Sequence, residues 1–130
     1  MEIGLSTIGQ IAVTVSEVDR AIAFYRDKLG MKLLFQVPNM GFFDCGGIRL
    51  MLTGAVSPGE NHNSILYFKV AAIQQAQQEL IARGVTFEGD PALIARLPDH
   101  DLWMTFFRDA DRNLMALMSE VPHSPAPVTG

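Results

Sequence analysis

The sequence predicts an α+β fold built from two tandem βαβββ modules. One observation behind this is the stretch from Ile11 to Phe35, which passes from strand alternation to helical spacing and back again. A second is that the same order returns between Ile65 and Phe87. A third is that each copy is followed by two more strand-like runs joined by a turn. Phe42-Phe43 leads to Leu50-Met51-Leu52 in the first copy, and Phe106-Phe107 leads to Met115-Ala116-Leu117 in the second. Aligning Val15 with Val70 sets Val18 on Ile73, Ala21 on Ala76 and Tyr25 on Leu80, and one deletion inside the helix brings Gly30 onto Gly84. A repeat of this length implies two copies of one unit, neither able to bury its sheet alone.

The first module spans 10–54. Ile11, Val13 and Val15 share one strand face, with Ala12 and Thr14 on the other. Ser16 offers an N-cap oxygen, and Asp19 stands three residues on, as in a short capping box. Val18, Ile22, Tyr25 and Leu29 then recur at spacings of three and four, one apolar helix face, and Gly30 sits at the C-cap. Met31 to Val37 returns to strand, broken by Val37-Pro38-Asn39-Met40-Gly41. Gly41–Asp44 and Ile48–Thr53 form a hairpin across Gly46-Gly47. Cys45 lies at that turn with no histidine or second cysteine near it in sequence, and reads as an incidental thiol.

A polar, turn-rich linker follows over 55–63. The second module spans 64–121: a strand from Ile65 to Val70, a helix from Ala72 to Arg83, Gly84 as cap and Val85–Phe87 as the returning strand. Its last two strands are Asp101–Arg108 and Asn113–Met118. Residues 1–121 are thus read as a single domain of two repeats, and 122–130, with three prolines, as a disordered tail.

Composition narrows the classes of function. The chain has 130 residues, enough for one real core and too few for two independent ones. A net charge of -4 with no Lys/Arg stripe argues against a nucleic-acid partner. No apolar run reaches membrane length, and the opening Met1-Glu2-Ile3-Gly4 carries no targeting pattern. A single cysteine precludes an internal disulfide and fits a reducing cytoplasm. Asp109, Asp111, Asn113 and Glu120 copy part of a calcium loop's spacing, but Leu114 stands where that loop needs glycine and both flanks read as strands, so a hairpin turn is the better reading.

Two βαβββ units, with Ile11 to Gly30 as the first strand and helix, resemble the vicinal oxygen chelate superfamily of glyoxalase I, bleomycin-resistance proteins and extradiol dioxygenases. Asp109-Ala110-Asp111-Arg112-Asn113-Leu114 is similar to that family's Asp-Pro-Asp-Gly-Asn-Leu turn, and the likeness covers roughly residues 8 to 121. The resemblance implies that each module's strands curl into a half-barrel, with its helix outside and a ligand cavity inside. It also implies metal ligands at four places, which fall here on Gln10, Met51, Ile65 and Ala116. Only Gln10 offers an oxygen; isoleucine and alanine cannot coordinate, and a thioether prefers softer ions than Zn²⁺, Ni²⁺ or Fe²⁺.

Period-2 geometry then gives the expected site. Ala12, Thr14, Arg49, Thr53, Tyr67, Lys69, Leu114 and Met118 share faces with those four positions, while Ile11, Val13, Val15, Leu50, Leu52, Leu66, Phe68 and Val70 form the helix-covered side. The site has an apolar floor of Met51, Ile65, Ala116 and Met118, with Gln10, Arg49 and Tyr67 as polar handles. The same residues would also serve to fill a narrow core or a dimer interface. Trp103 is placed on the cavity side, because Leu102, Met104 and Phe106 make the more uniformly apolar set; packing alone is the competing reading. His100, between Asp99 and Asp101 in a loop, is expected to be charged and solvated. His62 in the linker and His123 in the tail read as bystanders.

Two functions remain open. The first is a protein without cofactor or catalytic residue that binds an apolar or aromatic small molecule, a cytoplasmic homodimer with no nucleic-acid or membrane partner. The second is a metal-dependent lyase or dioxygenase whose ligands have moved to Gln10, His100 and His62.

Overall fold

A computed structural model of the chain describes residues 3–54 and 63–123. The order of elements is β1 (Gln10–Val15), α1 (Val18–Ala23), β2 (Lys32–Val37), β3 (Met40–Cys45), β4 (Ile48–Gly54), β5 (Leu66–Lys69), α2 (Ile73–Ala82), β6 (Thr86–Phe87), β7 (Ala92–Arg96), β8 (His100–Arg108) and β9 (Leu114–Pro122). The described residues fall into two compact units, one up to Ser64 together with Asp109–Asp111, the other Ile65–Arg108 with the residues from Arg112 onward. The fold is α+β with two open sheets, as the repeat predicts.

In the first unit the strands run β1-β4-β3-β2, and β1 lies parallel to β4 with Gln10 opposite Arg49 and Ala12 opposite Met51. The side carrying Val13, Val15, Phe43, Leu50 and Leu52 is buried, and so are Val18, Ala21, Ile22 and Tyr25 of the helix. Burying five such side chains is worth on the order of 10 kcal/mol before ordering costs are subtracted. Gly41 lets the helix come close: a Cβ there would sit 2.6 Å from Ile22 Cδ1. After Ala23 the chain widens into a π turn over Phe24–Lys28, with the Leu29 amide bonded to the Phe24 carbonyl, and stops at Gly30 with φ +70.

The expected Ser16 cap is not made. Glu17 is the N-cap residue and forms no side-chain cap bond. Ser16 instead donates its amide (3.0 Å) and its hydroxyl to the carboxylate of Asp111. Hydrogen bonds to an ionised carboxylate are stronger than those between neutral groups, so Ser16 is oriented toward Asp111 and not toward the helix amides. Gly46 and Gly47, at φ +60 and +91, close the β3–β4 hairpin as a turn that only paired positive φ allows.

The second unit repeats the plan in the order β5-β9-β8-β6, with β5 parallel to β9 and β7 also paired to β8. α2 ends one residue before Arg83, and Gly84 has φ +90. β7 has no counterpart in the sequence reading: β6 and β7 are two pieces of one edge along β8, separated at Asp90-Pro91, and Pro91 hides the strand pattern. β9 is longer than expected. Pro122 belongs to it, and the His123 amide donates to the Asp99 carbonyl at 3.0 Å, so the sheet holds the first two residues assigned to a disordered tail. Residues 124–130 and most of the expected linker, 55–62, lie outside the described residues.

The β8–β9 turn carries one non-glycine residue with left-handed backbone. Arg112 has φ +66, at the place where the resembling motif carries glycine. A side chain in that region costs about 1–2 kcal/mol, part of which glycine gives back through its freer unfolded chain. Arg112→Gly should therefore stabilise the protein by about 0.5–1 kcal/mol. The check is a higher urea midpoint with an unchanged slope.

Candidate functional site

On the side of the first sheet away from α1, the predicted residues of this unit do share a face. Gln10 and Arg49 are register partners, and Gln10 Nε2 lies 3.8 Å from Met51 Sδ, a weak contact. Gln10 is exposed, so its loss leaves no stranded polar group. Phe42 is the register partner of Met51 and joins this face. Phe35 joins it through a bulge. The register slips between Leu33 and Phe35, so Leu33 faces Phe43 on the helix side while Phe35 faces Phe42 on the other. The two rings stack at 4.4 Å and 21°. The Arg49 guanidinium stands 5.9 Å from the Phe35 ring and 5.8 Å from the Phe42 ring.

Sequence reasoning missed Phe35 and Phe42. Strict alternation puts Leu33 and Phe35 together, and the bulge that separates them leaves no signature in composition. Phe42 was legible, since its place opposite Met51 follows from the two-residue hairpin turn.

In the second unit, Tyr67 pairs with Ala116 and Lys69 with Met118. Tyr67 meets Phe106 edge-on at 6.0 Å, and Phe106 is the partner of Ala116 on β8. Ala116 is buried, whereas Tyr67 is 44% and Ile65 39% exposed. Met104 lies opposite Met118, so Leu102, Met104 and Phe106 are the β8 residues on this face.

Trp103 is therefore on the other side, contrary to its sequence-based placement. It faces Ser119 in the register and shares its face with Thr105 and Phe107, both buried. Thr105 accounts for the misplacement. Its hydroxyl accepts from Gln77 Nε2 of α2 (3.3 Å) and donates to the Gly89 carbonyl (2.8 Å), so a polar residue is satisfied on the helix side. Uniform apolarity thus chose the wrong face.

His100 opens β8 instead of preceding it. Its Nδ1 is 2.7 Å from Asp99 Oδ1, and its Nε2 is 4.0 Å from Glu120, which also pairs with Lys69 at 3.4 Å. The hydrogen bond from His100 holds the Asp99 carboxyl below its ordinary value. His123 is likewise engaged: its Nε2 is 2.8 Å from Asp101 Oδ1, a bond that raises its pKa. His62 lies outside the described residues. The Cys45 thiol is pushed up by burial and then by the charge of Asp44, the opposite of activation. Among the described residues no group of three or more His, Cys, Asp or Glu side chains could hold a metal. A shallow depression of about 640 Å³ flanks the start of α2, between Val70 and Glu79, and includes none of the predicted residues.

Asp109 and Asp111 of the calcium-like motif serve structure. Tyr25 Oη donates to Asp109 Oδ2 at 2.7 Å, and the Asp111 amide donates to Asp109 Oδ1 at 2.8 Å. Asp111 takes Ser16 and lies 3.6 Å from Arg20.

The profile of the Glyoxalase/Bleomycin resistance protein/Dioxygenase superfamily matches residues 7–117. The chain belongs to this superfamily. Among solved structures it is similar to a lactoylglutathione lyase from Agrobacterium tumefaciens, with 23% identity, TM-score 0.65, and 88% of this chain and 93% of that one covered. TioX from Micromonospora sp. ML1 aligns at 16% identity and TM-score 0.75, over 89% and 100% of the two chains. A glyoxalase/bleomycin resistance protein/dioxygenase from Nocardioides aligns at 17% and 0.73, over 99% and 93%. Identities this low carry the fold and nothing finer. No curated protein sequence matches the chain.

The resemblance assigns metal ligands to four positions, and the side chains there are poor donors. Ile65 and Ala116 have no donor atom, and the amide of Gln10 is turned to a thioether.

Proposed function

We propose that this superfamily member binds an apolar or aromatic small molecule, without metal, on the sheet faces turned from its helices. The observation that carries the reading is the Phe35–Phe42 stack beside Met51, with Arg49 and Gln10 at its edge: flat apolar area with a few polar groups to fix orientation. The corresponding face of the second unit supports it with Tyr67, Phe106 and Met118. No helix of the described residues is long and apolar enough to cross a membrane. A cytoplasmic homodimer with no nucleic-acid partner is part of this reading. Its support is the lone cysteine, the negative charge and the exposed Leu93, Ile94 and Leu97 along the β7 edge; sedimentation equilibrium returning a monomer would remove the dimer.

Titration with an aromatic compound library, read by backbone amide shifts, tests the binding. The reading fails if no compound shifts these faces while the protein takes up stoichiometric metal after anaerobic loading with Fe²⁺, Ni²⁺ or Zn²⁺. Gln10→Leu should leave folding intact, because the side chain is exposed, and weaken a polar-headed ligand about tenfold, one neutral hydrogen bond. Equal affinities of the two proteins for such a ligand would take Gln10 out of the site.

A further inference from the structure

The chemistry of the ligand can be read from the charges on the first unit's face. Arg49 makes no ion pair among the described residues, in a chain with a net charge of -4. The carboxylate best placed to neutralise it is Asp44, its register partner on β3. Asp44, however, turns to the hairpin, where its Oδ1 accepts from the Gly47 amide at 3.3 Å. Asp44 thus gives one carboxylate oxygen to the turn and makes no ion pair with Arg49. On its other side Arg49 has Gln10, a neutral amide with donors of its own. Lys32, opposite Asp44 on β2, adds a second exposed cation to the row.

The aromatic pair fixes where that charge is offered. With its central carbon under 6 Å from both ring centroids, the guanidinium stands beside the stack within reach of cation–π attraction, and its planar group carries five N–H donors. A planar fork presented this way suits a carboxylate, which takes two parallel N–H bonds. Phe35, 45% exposed, continues the apolar surface beside it.

We infer that this face of the first unit takes a flat aromatic body bearing a carboxylate, with Arg49 holding the carboxylate and the Phe35–Phe42 stack receiving the ring. The inference rests on the binding function proposed above and adds the charge of the ligand. A cationic ligand would face Arg49 and Lys32 against the single carboxylate of Asp44, and a neutral one would leave the guanidinium unmatched.

The experiment compares 2-naphthoate, 2-naphthylmethanol and 2-naphthylmethylamine by amide shifts of Gln10, Phe42 and Arg49. The acid should bind tightest. Arg49→Gln should weaken the acid by about ten- to hundredfold, the range of a charge-assisted hydrogen bond, and change the alcohol less than about threefold. Equal binding of acid and alcohol, tightest binding of the amine, or an acid affinity untouched by Arg49→Gln would overturn the anion assignment while leaving small-molecule binding in place. Silence from all three probes would overturn both. Concentration-dependent shifts of the same amides without probe would show a second copy on this face and overturn the inference as well.

Discussion

Asp109→Ala should be among the most destabilising single substitutions outside the apolar core, by about 3 kcal/mol. The carboxylate is buried, and the Tyr25 hydroxyl and the Asp111 amide are among its donors. Alanine removes both bonds and leaves the Tyr25 hydroxyl, on a fully buried side chain, with no acceptor at that position. Stranding a buried donor costs about 1–3 kcal/mol, and a bond to a charged acceptor is worth about 1.5–3 kcal/mol. The loss spreads further, because Asp111 holds Ser16 and lies beside Arg20, and its own amide is positioned by Asp109. Asp109→Asn keeps an acceptor oxygen and should cost roughly a third as much. Denaturant unfolding of Asp109→Ala, Tyr25→Phe and the double variant supplies the check. The double variant should lose clearly less than the sum of the singles, since removing the second partner of a broken pair costs little. Strict additivity would show that the pair is not coupled.

The pair also shows what a sequence yields and what it withholds. The repeat was legible because it is written in periodicity. Val13, Val15, Leu50 and Leu52 alternate, Val18, Ile22 and Tyr25 recur at helical spacing, and Gly30, Gly46, Gly47 and Gly84 stand where backbone needs positive φ. The turn Asp109–Leu114 was legible as a turn. That Tyr25 would donate to Asp109, 84 positions away, was not, because no local pattern encodes a long-range polar bond. The candidate site divides along the same line. Gln10, Arg49 and Met51 were placed on one face by period 2 alone, and the register agrees. Phe35 was lost to a bulge, and Trp103 to a buried threonine that Gln77 and Gly89 satisfy. In the first place the irregularity sits inside a local hairpin and leaves no compositional mark, and in the second the satisfying partners lie 28 and 16 positions away.

Alkali should destabilise the protein through Tyr25. Burial, then the negative charge of Asp109, the hydrogen bond to it and the charge of Asp111 all push the Tyr25 phenol well above its ordinary value of 10.0. The sign follows from proton counting. Between the unfolded value and the higher folded value, the native state keeps a proton that the unfolded state has lost. Stability contributed by the neutral phenol is therefore complete below about pH 10 and falls as pH rises beyond it, by about 1.4 kcal/mol per pH unit. Deprotonation inside the fold is blocked twice over, since a phenolate would be desolvated and would face the Asp109 carboxylate 2.7 Å away with no proton between them. Tyr25→Phe isolates this effect from every other group that titrates in base. At neutral pH the variant should be less stable by about 2 kcal/mol, having lost one bond to a charged acceptor. That deficit should stay constant up to about pH 10 and shrink by about 1.4 kcal/mol by pH 11, because only the wild type carries the proton-linked loss. Urea unfolding of both proteins from pH 8 to pH 11 measures the difference directly. A deficit that stays the same throughout would mean that the phenol ionises as readily folded as unfolded, and that the Tyr25–Asp109 bond is not held in solution.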